Sequence, residues 1–304
     1  MTTAISSRLA PSAFVMATAR QPADAATLTT GATPVRFLDR PGGRIAYTDQ
    51  GKGPLVVMAP SFGDLKEEFR FLAPALVAAG YRAVTMDLRG HGRSSIGWDD
   101  YSCAAQGSDM LALVAHLDAG PAILIGESIS GGSAAWAAAE APDAVAGLVL
   151  LDPFARNVPT GWAKTILFKT VVNTAFVGPW APAAWGAFYG TLYPAAKPAD
   201  FAAYTAAMVA NLKEPGRMAA VKAMMRAGRD DVEPRLGAIR APALIVMGSR
   251  DPDFDDPAGE AKAMAALVRG EIAMIDGAGH YPHAEMPEKT AAAIIGFLAK
   301  LPAR

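Results

Sequence analysis

The sequence predicts an α/β fold, a mostly parallel eight-stranded sheet flanked by helices, with a helical segment inserted late in the strand order. Three observations carry this. Short apolar runs alternate with stretches of helical spacing along most of the chain. Several of those runs are apolar throughout, as strands buried on both faces of a parallel sheet are. One of them, Ala-Ile-Leu-Ile from Ala122 to Ile125, passes through Gly126 and Glu127 to Ser128 and directly into an Ala-rich helix.

Taken in order, the first regular segments are Val35 to Asp39 and Arg44 to Asp49, joined by Pro41-Gly42-Gly43 as a hairpin. Leu55 to Ala59 is a buried parallel strand. Leu65 to Ala79 places Leu65, Phe69, Leu72 and Leu76 at helical spacing and stops at Gly80. The strand Tyr81 to Met86 leads into the loop Asp87-Leu88-Arg89-Gly90-His91-Gly92-Arg93-Ser94. A helix over Asp109 to Leu117 precedes the Ala122 strand, whose own helix ends at Pro142, and Val145 to Leu151 is the next strand. The alternation then lapses until Ala243 to Met247. Helix Pro257 to Leu267, strand Glu271 to Ile275 and helix Pro287 to Leu301 close the chain.

The division expected from this rhythm is an N-terminal extension (1–34), a core (35–153 and 237–304) and a helical cap (154–236). The cap region holds eleven of the 24 aromatic residues, among them Trp162, Phe168, Trp185, Tyr189 and Tyr204. Such rings either pack the cap or line an apolar pocket, and small-molecule sites favour junctions of this kind. The clearest helices there are Asp200 to Leu212 and Met218 to Met225.

Bulk properties narrow the function. The 304 residues are 52% hydrophobic and 19% charged with a net charge of −1, which describes a compact enzyme and gives no electrostatic footprint for nucleic acid. No apolar run reaches the ~20 residues of a membrane helix, so stable membrane insertion is not expected. A single cysteine, Cys103, excludes an intrachain disulfide and a thiolate metal cluster. In the N-terminal stretch, Leu9 to Ala17 is weakly apolar and broken by Pro11, a poor secretory signal, so a cytoplasmic location is expected.

The Gly126-Glu127-Ser128-Ile129-Ser130 turn resembles the nucleophile elbow of the α/β-hydrolases, where small residues let a strained turn lift a serine above the sheet edge. The family pattern ends in glycine; here Ser130 takes that place, followed by Gly131 and Gly132. A serine needs a base oriented by an acid. Gly277-Ala278-Gly279-His280-Tyr281-Pro282-His283 resembles the family's histidine loop and implies His280 as base. His283 reads as structural, His91 as a loop-shaping residue and His116 as a surface or capping residue. Met247-Gly248-Ser249-Arg250-Asp251 resembles the acid loop and implies Asp251, with Asp152 as the alternative. The order Ser128, Asp251, His280 is the one this fold uses. Asp251, Asp253 and Asp255 have calcium-loop spacing, but Asp256 and Lys262 occupy the positions that need glycine and glutamate.

The resemblance spans roughly Val35 to Leu301 and implies a serine hydrolase acting on a small apolar ester through an acyl-enzyme. No cofactor or metal is implied, and a homo-oligomer is compatible with this reading. The oxyanion donors would be the amide of Ile129 and one from Ala59-Pro60-Ser61-Phe62-Gly63; Pro60 has no N–H, which leaves Ser61, preferred, or Phe62. Perhydrolase and aminopeptidase chemistry share the triad, and a lipase would need an exposed apolar lid. The alternative outside these enzymes is a small-molecule receptor of the same fold with slow turnover.

Overall fold

The computed structural model describes residues 33–157 and 174–302. The extension over 1–32, and the insertion aromatics Trp162 and Phe168, lie outside them. Eight strands form one sheet: β1 (Arg36–Arg40), β2 (Gly43–Gln50), β3 (Leu55–Ala59), β4 (Arg82–Met86), β5 (Ala122–Glu127), β6 (Val145–Leu151), β7 (Ala243–Gly248) and β8 (Glu271–Ile275). Their order is β1-β2-β4-β3-β5-β6-β7-β8; the β1–β2 and β2–β4 pairs are antiparallel and the rest parallel.

The helices assigned among the described residues are α1 (Leu72–Ala78), α2 (Cys103–Leu117), α3 (Ile129–Glu140), α4 (Ala181–Tyr189), α5 (Phe201–Leu212), α6 (Arg217–Arg226), α7 (Pro257–Val268), α8 (Pro282–Glu285) and α9 (Pro287–Leu298). Alternate strand residues feed opposite faces, as the pleat requires. Val57, Ala59, Leu124, Leu148, Leu150, Ile245 and Met247 pack with α2, α3 and α7, whereas Val56, Met58, Ile123, Ile125, Val149 and Val246 pack with α1 and α9. The continuous apolar strands are therefore core on both sides.

Two helix expectations are corrected. The stretch Leu65 to Ala79 is not one helix: Lys66–Arg70 is a 3₁₀ turn, Phe69 leaves helical ψ, and α1 starts only at Leu72 with Pro74 in its first turn, where proline is tolerated. The helix expected from Asp109 begins at Cys103, capped by the Ser102 side chain, which accepts from the Ala105 N–H at 3.1 Å.

The segment between β6 and β7 contributes α4, α5 and α6. Trp185, Tyr189, Tyr193, Tyr204 and Phe176 are buried in a cluster with Leu65 and Tyr281, so most of the region's described rings pack this segment together and onto the sheet. Arg70 fastens it: its guanidinium bonds both Asp200 oxygens at 2.6 and 2.8 Å and lies 4.3 Å over the Tyr204 ring.

Candidate active site

Parallel strands ending on one edge bring their following loops together. The pairing Ala59↔Gly126 sets the segment after β3 beside the turn after β5, and Gly248↔Ile275 sets the loop after β7 beside that after β8. Asp152, Asp251 and His280 thereby meet, one ligand-type atom from each lying within 4.8 Å of the others.

Ser128 sits at φ 53°, ψ −116°, a backbone region strained for any residue with a Cβ, at the start of α3. The turn is held by Ser128 N–H donating to Leu151 O at 2.8 Å and by Ser128 O accepting from Gly131 N–H at 3.0 Å. Gly126 is obligatory here, since a Cβ on it would lie 2.1 Å from Ser130 O. Ser130, the departure from glycine, uses its hydroxyl: Oγ donates to Pro60 O at 2.5 Å, tying the turn to the loop after β3.

His280 is reached through another close approach. A Cβ on Gly279 would sit 2.3 Å from Leu192 O, and the His280 N–H donates to that same carbonyl at 3.1 Å. Its Nδ1 lies 2.7 Å from Asp251 Oδ2. Burial would lower the His280 pKa, but the charges of Asp251 and Asp253 outweigh it and raise it to about 9. For Asp251, burial acts upward and the His280 charge and hydrogen bond bring it below the usual carboxylate value. Asp152, the alternative acid, stands behind: its Oδ1 accepts from Gly248 N–H at 2.9 Å, and burial together with the Asp251 charge pushes it well up. Asp251 accepts from the imidazole and Asp152 from the backbone.

In the loop after β3 the amides have separate tasks. The N–H of Ser61, the preferred oxyanion donor from sequence, donates to Glu68 Oε2 at 3.2 Å; that buried carboxyl folds back over the loop and occupies it. Gly63 N–H donates to His91 Nε2 at 2.8 Å, while His91 Nδ1 faces Arg89 O at 2.8 Å, which fixes the Nδ1–H tautomer. Burial lowers His91 to about 4, as suits a neutral acceptor shaping a loop. Phe62 is left as the amide of this loop without an acceptor among the described residues.

The other sequence assignments fall where expected in space: His283 is buried against Phe69 and Glu68, His116 is exposed at the end of α2, and Cys103 is buried. Sequence reading missed a group of carboxyls. Glu127 is fully buried, with Oε1 3.3 Å from His280 Nε2. Glu68 is raised to about 8 by burial, and Asp64, bonded by the Tyr204 hydroxyl, is raised by burial as well. The one sequence signal was Glu127 itself, an ionisable residue ending an otherwise apolar strand. Around His280 the walls are aromatic, with the Phe154 ring 5.8 Å away and stacked on Phe254 at 4.9 Å. Ser128 and His280 are each 2% exposed. Two surface cavities of about 320 Å³, one bordered by Phe71 and Lys197 and the other by Pro179 and Met218, lie elsewhere.

No helix of the described residues is long and apolar enough to cross a membrane. Comparison with known proteins agrees with the architecture. A bifunctional esterase/perhydrolase of Acinetobacter calcoaceticus is 28% identical over 218 residues, 67% of this chain and 75% of that protein. The 2-(acetamidomethylene)succinate hydrolase of Mesorhizobium japonicum is 27% identical over 265 residues, 84% of this chain and 92% of the relative. A thermophilic esterase structure from Thermogutta terrifontis superposes with TM-score 0.72 at 25% identity, covering 88% of this chain and 97% of its own. The family model described as the alpha/beta hydrolase family matches residues 56–293, well over half the sequence, and with the sheet and its strand-end cluster this places the chain in the alpha/beta hydrolase family.

Proposed function

We propose that the protein is a serine hydrolase that cleaves ester-type bonds of small apolar substrates. The observation that carries the reading is the pairing of His280 Nδ1 with Asp251 Oδ2 at 2.7 Å on the same sheet edge as Ser128 in its strained turn. The names of the hydrolase relatives and the aromatic surroundings of His280 support it.

In this reading Ser128 Oγ attacks the carbonyl carbon as its proton passes to His280 Nε2, and the carbonyl π pair moves onto oxygen. The Ile129 amide, a first-turn N–H with no acceptor among the described residues, and the Phe62 amide hold that oxyanion. Collapse breaks the ester C–O bond, and the leaving alkoxide takes the proton from Nε2. Water then attacks the acyl-enzyme with His280 again as base, restoring Ser128 and releasing the acid. Asp251 holds the imidazole in the Nδ1–H tautomer throughout.

The test is hydrolysis of p-nitrophenyl esters of rising chain length. Wild-type turnover with a short-chain optimum, reduced about 10³-fold or more in Ser128→Ala and in His280→Ala, is the expected result. Activity that survives Ser128→Ala would overturn the reading.

A further inference from the structure

The nitrogen of His280 that must accept the serine proton is already in company. Nε2 lies 3.3 Å from Glu127 Oε1, with Asp253 Oδ2 next at 3.7 Å, while Nδ1 is bound to Asp251. Glu127 is fully buried, and neither of its oxygens accepts a hydrogen bond of normal geometry among the described residues. No lysine or arginine pairs with it there. The groups acting on it are Asp64 and Glu68 from the segment after β3, Asp152 after β6 and Asp251 after β7, all acids, and the Tyr281 hydroxyl group from the histidine's own loop. Arg70, whose charge acts on Glu68, is engaged by Asp200. An ionised carboxylate buried among other acids needs a cation, and the imidazolium of His280 is the one in reach.

Resting on the triad reading above, we propose that Glu127 and His280 share one proton at Nε2 in the resting protein, so that Glu127 is a positioning residue that keeps the base occupied until that proton is lost to solvent. With the proton in place the imidazole has no lone pair for Ser128. Release of that one proton to water leaves neutral His280, donating Nδ1–H to Asp251, with Nε2 open to the serine hydroxyl. Glu127, directly before the nucleophile in sequence, thus acts beside Asp251 and Asp253 on the pH at which the site becomes a base. Burial raises the Glu127 carboxyl well above its ordinary value, and His280 stands at about 9, consistent with a pair that holds its proton through neutrality.

The experiment reads the imidazole directly. Only four histidines are present, so ring ¹H–¹⁵N signals of His280 can be assigned by loss in His280→Ala and followed against pH in the wild type and in Glu127→Gln. Gln keeps the shape and removes the charge. The expected result is a His280 titration lowered by about one pH unit or more in Glu127→Gln, with the acid limb of kcat/KM for p-nitrophenyl acetate moving the same way, so that the variant gains about tenfold at pH 7. Glu127→Asp, which draws the carboxylate back by one methylene, serves if Gln fails to fold and should give a smaller shift of the same sign. An unchanged His280 titration in both variants overturns the proposal. Ser128→Ala keeps the two questions apart: its residual activity tests the triad, whereas the ring titration decides the role of Glu127 whatever that activity is.

Discussion

At Ser130 a residue that looks like a deviation from the family's turn supplies a bond that glycine could not. Its hydroxyl reaches Pro60 O across the β3–β5 pairing, joining the strained serine turn to the loop that carries the Phe62 amide. Ser130→Ala keeps the turn's size but leaves that carbonyl without its donor in a buried setting, which costs about 1–3 kcal/mol of stability. Because the lost bond also fixes the loop, kcat should fall more than KM rises, and thermal melts beside steady-state kinetics check both. An unchanged melt and unchanged kcat would show that the tether does nothing. At this scale much was legible in sequence, because Ser128, Asp251 and His280 follow strands in a fixed order with small residues around them. The choice between Ser61 and Phe62 was not, since it depends on Glu68 folding back seven residues to take the Ser61 N–H, a contact that leaves no local pattern. Glu127 was passed over for a related reason: a single acid at a strand end acquires meaning only when His280, far along the chain, arrives beside it.

Strands were easier to read than helices, and the reasons are physical. Runs such as Leu55–Ala59 and Val145–Leu151 are buried on both faces, so their composition alone marks them, and their observed limits match the expected ones. The helix α2 was expected to start too late because Gly107 and the polar pair Gln106 and Ser108 blur its first turns, although Ser102 stood there as a cap. Helix α4 was not singled out, since Trp185, Phe188 and Tyr189 face neighbours on several sides and show no single apolar stripe. What holds the inserted helices to the sheet was likewise hidden, because Arg70 and Asp200 are distant in sequence. Their two-pronged contact predicts that Arg70→Ala costs about 1–2 kcal/mol, the range of a partly exposed charge-assisted pair with ring stacking. The loss should appear as faster amide exchange in α5, at whose N-terminus Asp200 sits, with little change in β5 or β6. Uniform acceleration across the sheet would mean that Arg70 supports the whole fold rather than this attachment.

Across the molecule, the buried acids and histidines link stability and activity through the same protons. His91 at about 4 and His283 at about 3 are depressed by burial, so the unfolded chain binds the extra protons below its histidine pKa near 6.5, and both histidines oppose folding as pH falls below that value. Above it they are neutral in both states and contribute no slope. Glu68, raised to about 8 by burial, and His280, raised to about 9 by Asp251 and Asp253 against burial, behave in the opposite way. Glu68 contributes stability that is fully present below its unfolded value of 4.5 and lost as pH rises toward about 8, and His280 contributes stability that is present below 6.5 and lost as pH rises toward about 9, so from 6.5 upward the folded protein holds protons that the unfolded chain has lost or is losing. The expected outcome is a melting temperature that falls between pH 6.5 and 9, with a loss of about 1–3 kcal/mol over the window, while kcat/KM on a p-nitrophenyl ester rises as His280 is freed. Glu68→Gln, uncharged at every pH, should flatten the lower part of the stability slope and leave the upper part, which belongs to His280. A melting temperature that is constant or rises from pH 6.5 to 9 would contradict the linkage, because no buried group with a raised pKa could then be giving up its proton in that range. Activity and stability with opposite pH slopes are what a site held closed by its own protons requires: the deprotonation that makes His280 a base also removes the charge that compensates the acids packed around it.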